Sequence, residues 1–303
     1  MSSELKPSIK ALTSWRCVRG LLLFFIMATG LQAKLIADES ASGGIHPVAS
    51  DVLFLVLGKM SIYLQQGDGS FKLRDHHFVA EIMPKTGRTI LGGSLSSKAN
   101  PAEKLEFQKE GIAWLAHGAR VQQPEQLHQA HADGVYLFDY VTQSGEMKQQ
   151  PLLIKKRANI DAMPDPARVS LYQSDKLLVD ARVDPKQELR IEWDAMPGLG
   201  KAAGSELADL IFVLGFSCHG ENVIHSGRPY QSDYLTYQDR HFTVAGDTLE
   251  PGLDYSLIVE QAAADVSSHQ GVPGIATYAT LTFVKFRTRG EAKPGRDCPV
   301  KNA

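Results

Sequence analysis

The chain has 303 residues, 43% of them apolar and 22% charged, which is the composition of a globular protein and not of a disordered one. Its 32 basic and 34 acidic residues give a net charge of −2, so no positive excess indicates nucleic acid or anionic lipid as a partner. The length is generous for one domain and sufficient for two.

Residues 1–33 have the layout of a secretory signal peptide. Four basic residues precede the apolar run at residues 20–28, which is short for a helix that spans a bilayer. We predict cleavage after Ala33, although Leu31 is larger than the small residue usual at that position; an uncleaved anchor is the alternative. Removal leaves 28 basic and 33 acidic residues. We therefore expect a mildly acidic exported protein, periplasmic or extracellular, that makes no membrane contact after cleavage.

The first half of the remaining chain predicts a β-sandwich over residues 51–157. Residues 34–50 are rich in serine, glycine and proline and are predicted to form a flexible lead-in. Segment 100–107 stays open, because Asn100-Pro101 permits a helix start whereas Leu105 and Phe107 alternate as in a strand. A short helical turn is expected at residues 124–131. The predicted strands are 51–57 with 61–64, 78–82, 88–91, 134–140 and 150–154.

A glycine turn followed by a tyrosine and an alternating strand occurs twice, at residues 134–140 and 252–259. In sandwiches of the immunoglobulin type such a tyrosine opens strand F, and its hydroxyl bonds to the backbone a few residues upstream. Tyr136 and Tyr255 are therefore predicted corner residues. Because the two copies lie about one small domain apart, the sequence predicts an all-β protein of two tandem sandwiches.

The proline-rich segment ending at Pro166 is the predicted boundary between these sandwiches. The second sandwich is assigned to residues 164–290, and residues 291–303 are assigned to a C-terminal tail. Its predicted strands are 169–172, 177–179, 189–193, 210–216, 234–237, 241–244, 255–262 and 279–288.

Several residues of this second half together resemble a fibronectin type III domain over about residues 160–290. They are Pro164 and Pro166 before the first strand, Trp193 closing the second, the run Leu249-x-Pro251-Gly252-x-x-Tyr255, and a last strand ending Phe286-x-Thr288. The segment is longer than this family usually needs, and the excess lies in its loops. The resemblance implies a role in binding or architecture and names no ligand.

Two cysteines remain after signal cleavage, Cys218 and Cys298. In an oxidising compartment an even count without zinc-type spacing predicts one disulfide. If residues 210–216 are strand C, 255–262 strand F and 279–288 strand G, then C and G end on the same side. A bridge would then hold the tail against the sandwich.

The candidate binding residues lie in the predicted loops 197–209 and 263–277 at one end of the second sandwich, and in a turn at residues 227–231. Loops at this end often carry binding residues, and an arginine and a tyrosine can contact an anion or a sugar. The candidates are Lys201, Asp265, Ser267, His269, Gln270, Arg228 and Tyr230.

We accordingly expect an exported, non-enzymatic protein that recognises a protein or polysaccharide of the cell envelope or extracellular space, with no cofactor and no metal. One alternative is a hydrolase or metal-dependent enzyme at the domain junction. It would use Cys218, His219 and His225, although adjacent strand residues face opposite ways. The other alternative is a purely architectural spacer.

Overall fold

The computed structural model describes residues 47–155, 163–196, 200 and 206–299. The predicted signal peptide and most of the lead-in lie outside these residues. The first half comprises a 3-10 helix (Pro47–Ser50), β1 (Val52–Gln65), β2 (Phe71–Pro84), β3 (Ile90–Ser97), β4 (Asn100–Glu106), β5 (Gln108–Glu110), β6 (Ala113–Val121), α1 (Pro124–Ala130), β7 (Gly134–Thr142) and β8 (Gly145–Ile154). The second half comprises β9 (Val169–Gln173), β10 (Lys176–Leu177), β11 (Arg182–Val183), β12 (Leu189–Trp193), β13 (Leu210–Ser217), β14 (Asn222–His225), β15 (Leu235–Thr236), β16 (His241–Val244), β17 (Asp254–His269) and β18 (Val272–Thr288).

The fold is all-β, as predicted, and its strands form three sheets. The largest has ten strands, in the order β14-β13-β17-β18-β1-β2-β6-β5, with β11 and β15 paired at its sides. One small sheet has the order β4-β3-β7-β8 and the other the order β10-β9-β12-β16. We call the ten-stranded sheet the shared sheet, because strands of both halves contribute to it.

The second half is a fibronectin type III-like sandwich. Its small sheet packs on the β13, β17 and β18 part of the shared sheet, and Ile191, Trp193 and Leu257 are buried between them. β13 and β18 both run antiparallel to β17, which confirms the predicted C, F and G roles. The alternation of apolar residues in β17 places every second side chain in this core.

The first half repeats this two-layer plan. Its small sheet covers β1, β2 and part of β18, and Leu55, Phe78 and Phe138 are among the fully buried side chains between the layers. Helix α1 forms where the short helical turn was predicted. The open segment beginning at Asn100 is strand β4, because Leu105 pairs with Leu95 of β3 and points towards the core.

The two sandwiches are not separately packed modules, which corrects the tandem arrangement expected from the sequence. β1 and β18 pair in parallel over ten residue pairs, from Leu55 with Gly274 to Leu64 with Phe283. β17 and β18 are 16 and 17 residues long, so each contributes to both cores. The physical reason is the backbone hydrogen bonding of one continuous sheet, which favours pairing over leaving two strand edges exposed.

The predicted loop at residues 263–277 is the far half of the β17–β18 hairpin, so that loop assignment is wrong. Only Gln270 and Gly271 connect the strands, both with positive φ, 52° and 82°. This is the backbone of a two-residue hairpin turn that matches the twist of its strands. The end of the predicted flexible lead-in is also ordered, because Val48 and Ala49 are buried in the first core.

Side chains of β1 and β18 hold the segment that joins the halves. The Gln65 side-chain amide donates to the carbonyl of Val169 and accepts from its N–H, both at 2.8 Å. The Ser61 hydroxyl donates to the sulfur of Met163 at 2.9 Å, and the Thr280 hydroxyl donates to the carbonyl of Pro164. The connection is therefore fixed on the sheet from residue 163 onwards.

Candidate functional site

The face of the shared sheet that points away from both small sheets carries a third apolar cluster. We call it the outer face. Its buried residues alternate with those of the two cores, as Ile258 does with Leu257. Members include Phe54, Met60, Val79, Met83, Leu115, Leu210, Leu214, Phe216, Ile258, Ile275 and Leu281.

Residues 226–234, between β14 and β15, pack against this outer face. The Arg228 side chain is 2% exposed, and its Nη1 lies 3.5 Å from the sulfur of Met83 on β2. The Tyr230 ring lies 6.2 Å from the ring of Phe54 on β1. We call residues 226–234 the Arg228 turn. It starts at the β14 edge of the sheet and contacts strands of the first half.

Internal hydrogen bonds and backbone constraints hold the Arg228 turn in one conformation. Its Arg228 N–H donates to the Ser232 hydroxyl at 3.1 Å, and the Ser232 N–H donates back to the Arg228 carbonyl at 3.1 Å. Gly227 has a φ of 89°, and a Cβ there would lie 1.8 Å from the Asp233 carbonyl oxygen, so only glycine fits. Tyr230 has a φ of 64°, which is strained for a bulky side chain.

Arg228 lies among carboxylates from both halves of the chain. Burial raises the pKa of Glu81 on β2 to about 7, and the positive charge of Arg228 opposes this shift. Burial likewise raises the pKa of Glu260 on β17 to about 7, with a further rise from the charge of Glu81. Burial lowers the pKa of Arg228 to about 10 against the attraction of both glutamates. The three groups form one coupled set of charges, the Arg228 cluster.

The two candidates in this turn have opposite environments. The sequence analysis gave both as candidate binding residues in one turn, but the Arg228 side chain is buried beneath that turn. Tyr230 remains 39% exposed. Gln231, Ser232 and Asp233 follow it as exposed residues, so an aromatic ring stands beside an amide, a hydroxyl and a carboxylate.

The other candidates are not brought to the Arg228 turn. Asp265, Ser267 and His269 lie near the end of β17, and Gln270 is the first residue of its two-residue turn. Ser267 and Gln270 are exposed at the hairpin tip. Lys201 lies outside the described residues. Binding by these residues stays a prediction.

The disulfide between Cys218 and Cys298 is confirmed, with Cα atoms 5.5 Å apart. Arg296 strengthens the same attachment, because its guanidinium contacts Glu221 at 2.7 Å and Glu250 at 2.9 Å. The His219 Nε2 lies 2.9 Å from the Arg296 carbonyl oxygen. Residues 291–299 of the tail are thereby fixed beside the Tyr255 corner.

The residues of the proposed thiol or metal chemistry have other partners. Cys218 is in the disulfide, His219 contacts the tail, and His225 Nδ1 accepts a hydrogen bond from the Gly227 N–H at 2.9 Å. Burial lowers the pKa of His225 to about 4, and the charge of Arg228 adds to this. Across the residues with described positions, no group of three or more histidines, cysteines or acids could hold a metal ion.

Two depressions with polar linings lie elsewhere. A cavity of about 200 Å³ beside α1 is lined by residues that include Glu103, His131 and Tyr136. A cleft of about 360 Å³ on the second small sheet is lined by residues that include Tyr172 and Arg190. Neither contains Cys218, His219 or His225, so the enzyme alternative gains no support from these two depressions.

Sequence reasoning missed several buried polar groups on β1 and β2. His77 is fully buried, stacks on His117 with ring centres 5.2 Å apart, and has its pKa lowered by burial to about 2. His117 in turn contacts the Glu110 carboxylate at 2.8 Å. Lys59 is the single charged residue of β1, and Glu81 is the single charged residue in the apolar second half of β2, residues 78–84. The sequence signal that could have revealed these buried groups is a charged residue within an otherwise apolar segment of a strand.

No family model matches this sequence, and no curated protein matches it. Similar solved structures include chicken CNTN1 FN1-FN3 domains, with 9% identity, TM-score 0.23, and coverage of 77% of this chain and 64% of that one. They also include the Clostridium thermocellum CbhA fibronectin(III)-like modules, with 9% identity, TM-score 0.22, and coverage of 78% of this chain and 95% of that one. A third is the BSP domain of a biofilm associated protein, with 8% identity, TM-score 0.20, and coverage of 70% of this chain and 27% of that one. The chain thus spans under two thirds of the chicken and biofilm structures. TM-scores this low do not establish a shared fold. The fibronectin type III-like assignment therefore rests on the strand pairing of this chain.

Among the helices of the described residues, none combines the length and the apolar composition needed to cross a membrane.

Proposed function

We propose that this chain is an exported, non-enzymatic protein that binds a protein or polysaccharide of the cell envelope or extracellular space. Export is supported by the signal-like segment at residues 1–33 and by the disulfide between Cys218 and Cys298. Disulfides persist in oxidising compartments and are rare in the cytosol.

The observation that carries the binding proposal is the presentation of Tyr230. Its ring is partly exposed on a turn that a buried arginine, a mandatory glycine and two internal hydrogen bonds hold in one conformation. Tyrosine contributes a large contact area with little loss of conformational entropy, and a rigid presenting loop lowers the entropic cost of binding. Strained backbone that the surroundings enforce is also frequent in ligand-binding segments.

Residues Gln231, Ser232 and Asp233 extend this proposed surface with hydrogen-bonding groups of three kinds. A ring flanked by such groups suits a sugar face or a polar peptide equally well. The predicted contacts at Ser267 and Gln270 form a second proposed surface, now at a hairpin tip.

The test is a pull-down from cell-envelope extract with the mature protein and with Tyr230→Ala. We expect the variant to lose at least tenfold in affinity for the captured partner, as for an aromatic residue at the centre of an interface. Val179→Ala is the matched control, because Val179 is the most exposed large apolar residue among those the structure describes, at 86%, and lies outside the Arg228 turn. Protease treatment or glycan digestion of the extract separates a protein partner from a polysaccharide.

Equal binding by the wild-type protein and Tyr230→Ala would refute this surface. Loss of binding by both Tyr230→Ala and Val179→Ala would indicate a general effect on the protein. Capture of no partner by the wild-type protein would favour the architectural spacer, which the continuous shared sheet also suits.

A further inference from the structure

Lys59 lies in the middle of the shared sheet with a fully buried side chain. It pairs with Tyr278 of β18 on one side and with Phe78 of β2 on the other, on the face that lies towards the first core. Taking an ammonium group out of water costs several kcal/mol unless its partners compensate. The groups that surround its amine therefore require explanation.

Four reactive groups meet at this point. The Lys59 Nζ lies 2.5 Å from Asp133 Oδ1 and 3.2 Å from His128 Nδ1. The Tyr278 hydroxyl donates a hydrogen bond to the same Asp133 oxygen. His128 belongs to α1 and Asp133 to the segment before β7, so the chain after α1 brings the acid to the amine.

This set contains the components of amide formation. The amine is a nucleophile when it is neutral, and burial lowers the pKa of Lys59 although Asp133 acts in the opposite direction. The His128 Nδ1 is placed to accept a proton from Nζ, and the Tyr278 hydroxyl is placed to give one to the carboxylate oxygen. Strand pairing holds Lys59, and Asp133 lies directly before β7, so the two reacting groups need no diffusion to meet.

We propose that Lys59 and Asp133 join in an intramolecular isopeptide bond. The Lys59 Nζ attacks Asp133 Cγ, the new N–C bond forms, and one carboxylate oxygen leaves. The departing oxygen carries away two protons from the ammonium group, passed through His128 and Tyr278, as one water molecule. Ammonium and carboxylate thus become an amide and water, without an oxidant, a reductant or a further reactant.

The product replaces the charge of Lys59, whose side chain is fully buried, and that of Asp133, whose side chain is 33% exposed, with one neutral amide. This removes the unfavourable desolvation of the separate ions. The bond would also fix β1 to the segment before β7 across a separation of 74 residues. The proposal is independent of any partner of the Tyr230 surface.

The test is the intact mass of the purified mature protein after reduction of the disulfide. We expect a mass about 18 Da below the sequence value, the loss of one water. Tryptic digestion should then yield a branched peptide containing both residues, uncleaved after Lys59, because trypsin requires a free lysine side chain. A full sequence mass and a linear peptide cut after Lys59 would overturn the proposal.

One other reaction would produce the same mass. Asp133 precedes Gly134, and an aspartate–glycine pair can lose water by closing onto its own backbone. The variant Lys59→Met distinguishes the two reactions, because it removes the amine and leaves the Asp133-Gly134 pair unchanged. We expect Lys59→Met to show the full mass; a retained loss would overturn the proposal.

Tyr278→Phe tests the positioning role of the hydroxyl. We expect slower appearance of the water loss in freshly produced protein, followed by mass spectrometry over time, with the branched peptide still formed. The branched peptide is sought in the wild-type protein, so the proposal can be refuted even if a variant fails to fold.

Discussion

Tyr255 and Tyr136 each form the corner contact predicted from their position after a glycine turn. The Tyr255 hydroxyl accepts a hydrogen bond from the Glu250 N–H at 2.8 Å, five residues upstream. The Tyr136 hydroxyl donates to the Ala132 carbonyl at 2.9 Å, four residues upstream. Both rings are 3% exposed. A short sequence motif was sufficient here because the contact is local.

Tyr255→Phe should lower the free energy of unfolding by about 1–2 kcal/mol, because the ring still packs while a partly buried N–H loses its partner. Urea denaturation measures this. Tyr172→Phe is the control, since Tyr172 lies on the second small sheet and is only partly buried. An equal effect of both substitutions would contradict the corner role.

The Arg228 cluster predicts a pH dependence of stability to which Glu81 contributes both directly and through its coupling to Glu260. Burial raises the pKa of Glu81 from its ordinary value of 4.5 to about 7 in the folded protein. A carboxyl whose pKa is higher in the folded than in the unfolded state stabilises the folded protein at pH values below its unfolded-state pKa. This stabilisation is lost as pH rises through the folded-state pKa. Glu81→Gln should therefore gain stability relative to wild type between pH 4.5 and 7, by about 3 kcal/mol at most.

The difference between the two proteins is the quantity to measure, by urea denaturation at successive pH values. His77 and His225 act in the opposite direction, because their lowered pKa values remove stability as pH falls below 6.5. They affect both proteins and cancel in the difference, whereas Glu260 does not cancel, because the charge of Glu81 contributes to its raised pKa. Glu106→Gln, on the exposed strand β4, controls for the loss of one surface charge. A pH-independent difference would contradict the burial of the Glu81 charge.

At the scale of single elements, the tail after β18 depends on the disulfide and on Arg296. The Cys218–Cys298 bond closes a loop with a sequence separation of 80. Replacing both cysteines by alanine should lower the free energy of unfolding by about 4 kcal/mol in the loop-entropy model, less any strain in the bond. Urea denaturation measures the loss, and non-reducing mass mapping checks the bond in the native protein. Two free thiols in that protein would contradict the assignment.

The strands with local signals were predictable, and the far half of the β17–β18 hairpin was not. Its polar and proline-containing sequence is typical of a loop. Pro273 is tolerated because pairing of β18 with β1 begins only at Gly274. Gly274 is required for close packing, since a Cβ there would lie 2.8 Å from a Leu152 methyl carbon. Both residues therefore serve a long-range contact that a local pattern does not contain.

The candidate site was predictable only in part for the same reason. The turn at residues 227–231 was singled out from its arginine and tyrosine. Arg228 is buried against Met83 of β2, which is 145 residues away in the chain. Nothing in the local sequence indicates that contact.

At the scale of the whole molecule, the shared sheet should make the two halves unfold together. Leu57 and Leu257 are both fully buried, one in each core. Leu57→Ala and Leu257→Ala should each cost about 2–5 kcal/mol. Each should shift one common transition, because ten residue pairs of β1 and β18 join the cores.

Tryptophan fluorescence can follow each half separately during urea denaturation. After signal cleavage the chain holds Trp114 in the first half and Trp193 in the second. Variants that retain one tryptophan should report the same midpoint. Two midpoints, with each substitution moving only its own, would restore the arrangement of independent modules.

The parallel pairing of β1 and β18 has a mechanical consequence. A pulling force applied ahead of Val52 and behind Thr288 would act along these two strands in opposite directions. The ten residue pairs between them would then be sheared at once, not peeled apart one by one. Resistance to stretching should accordingly be greater along this axis than for a hairpin pulled open from its free end.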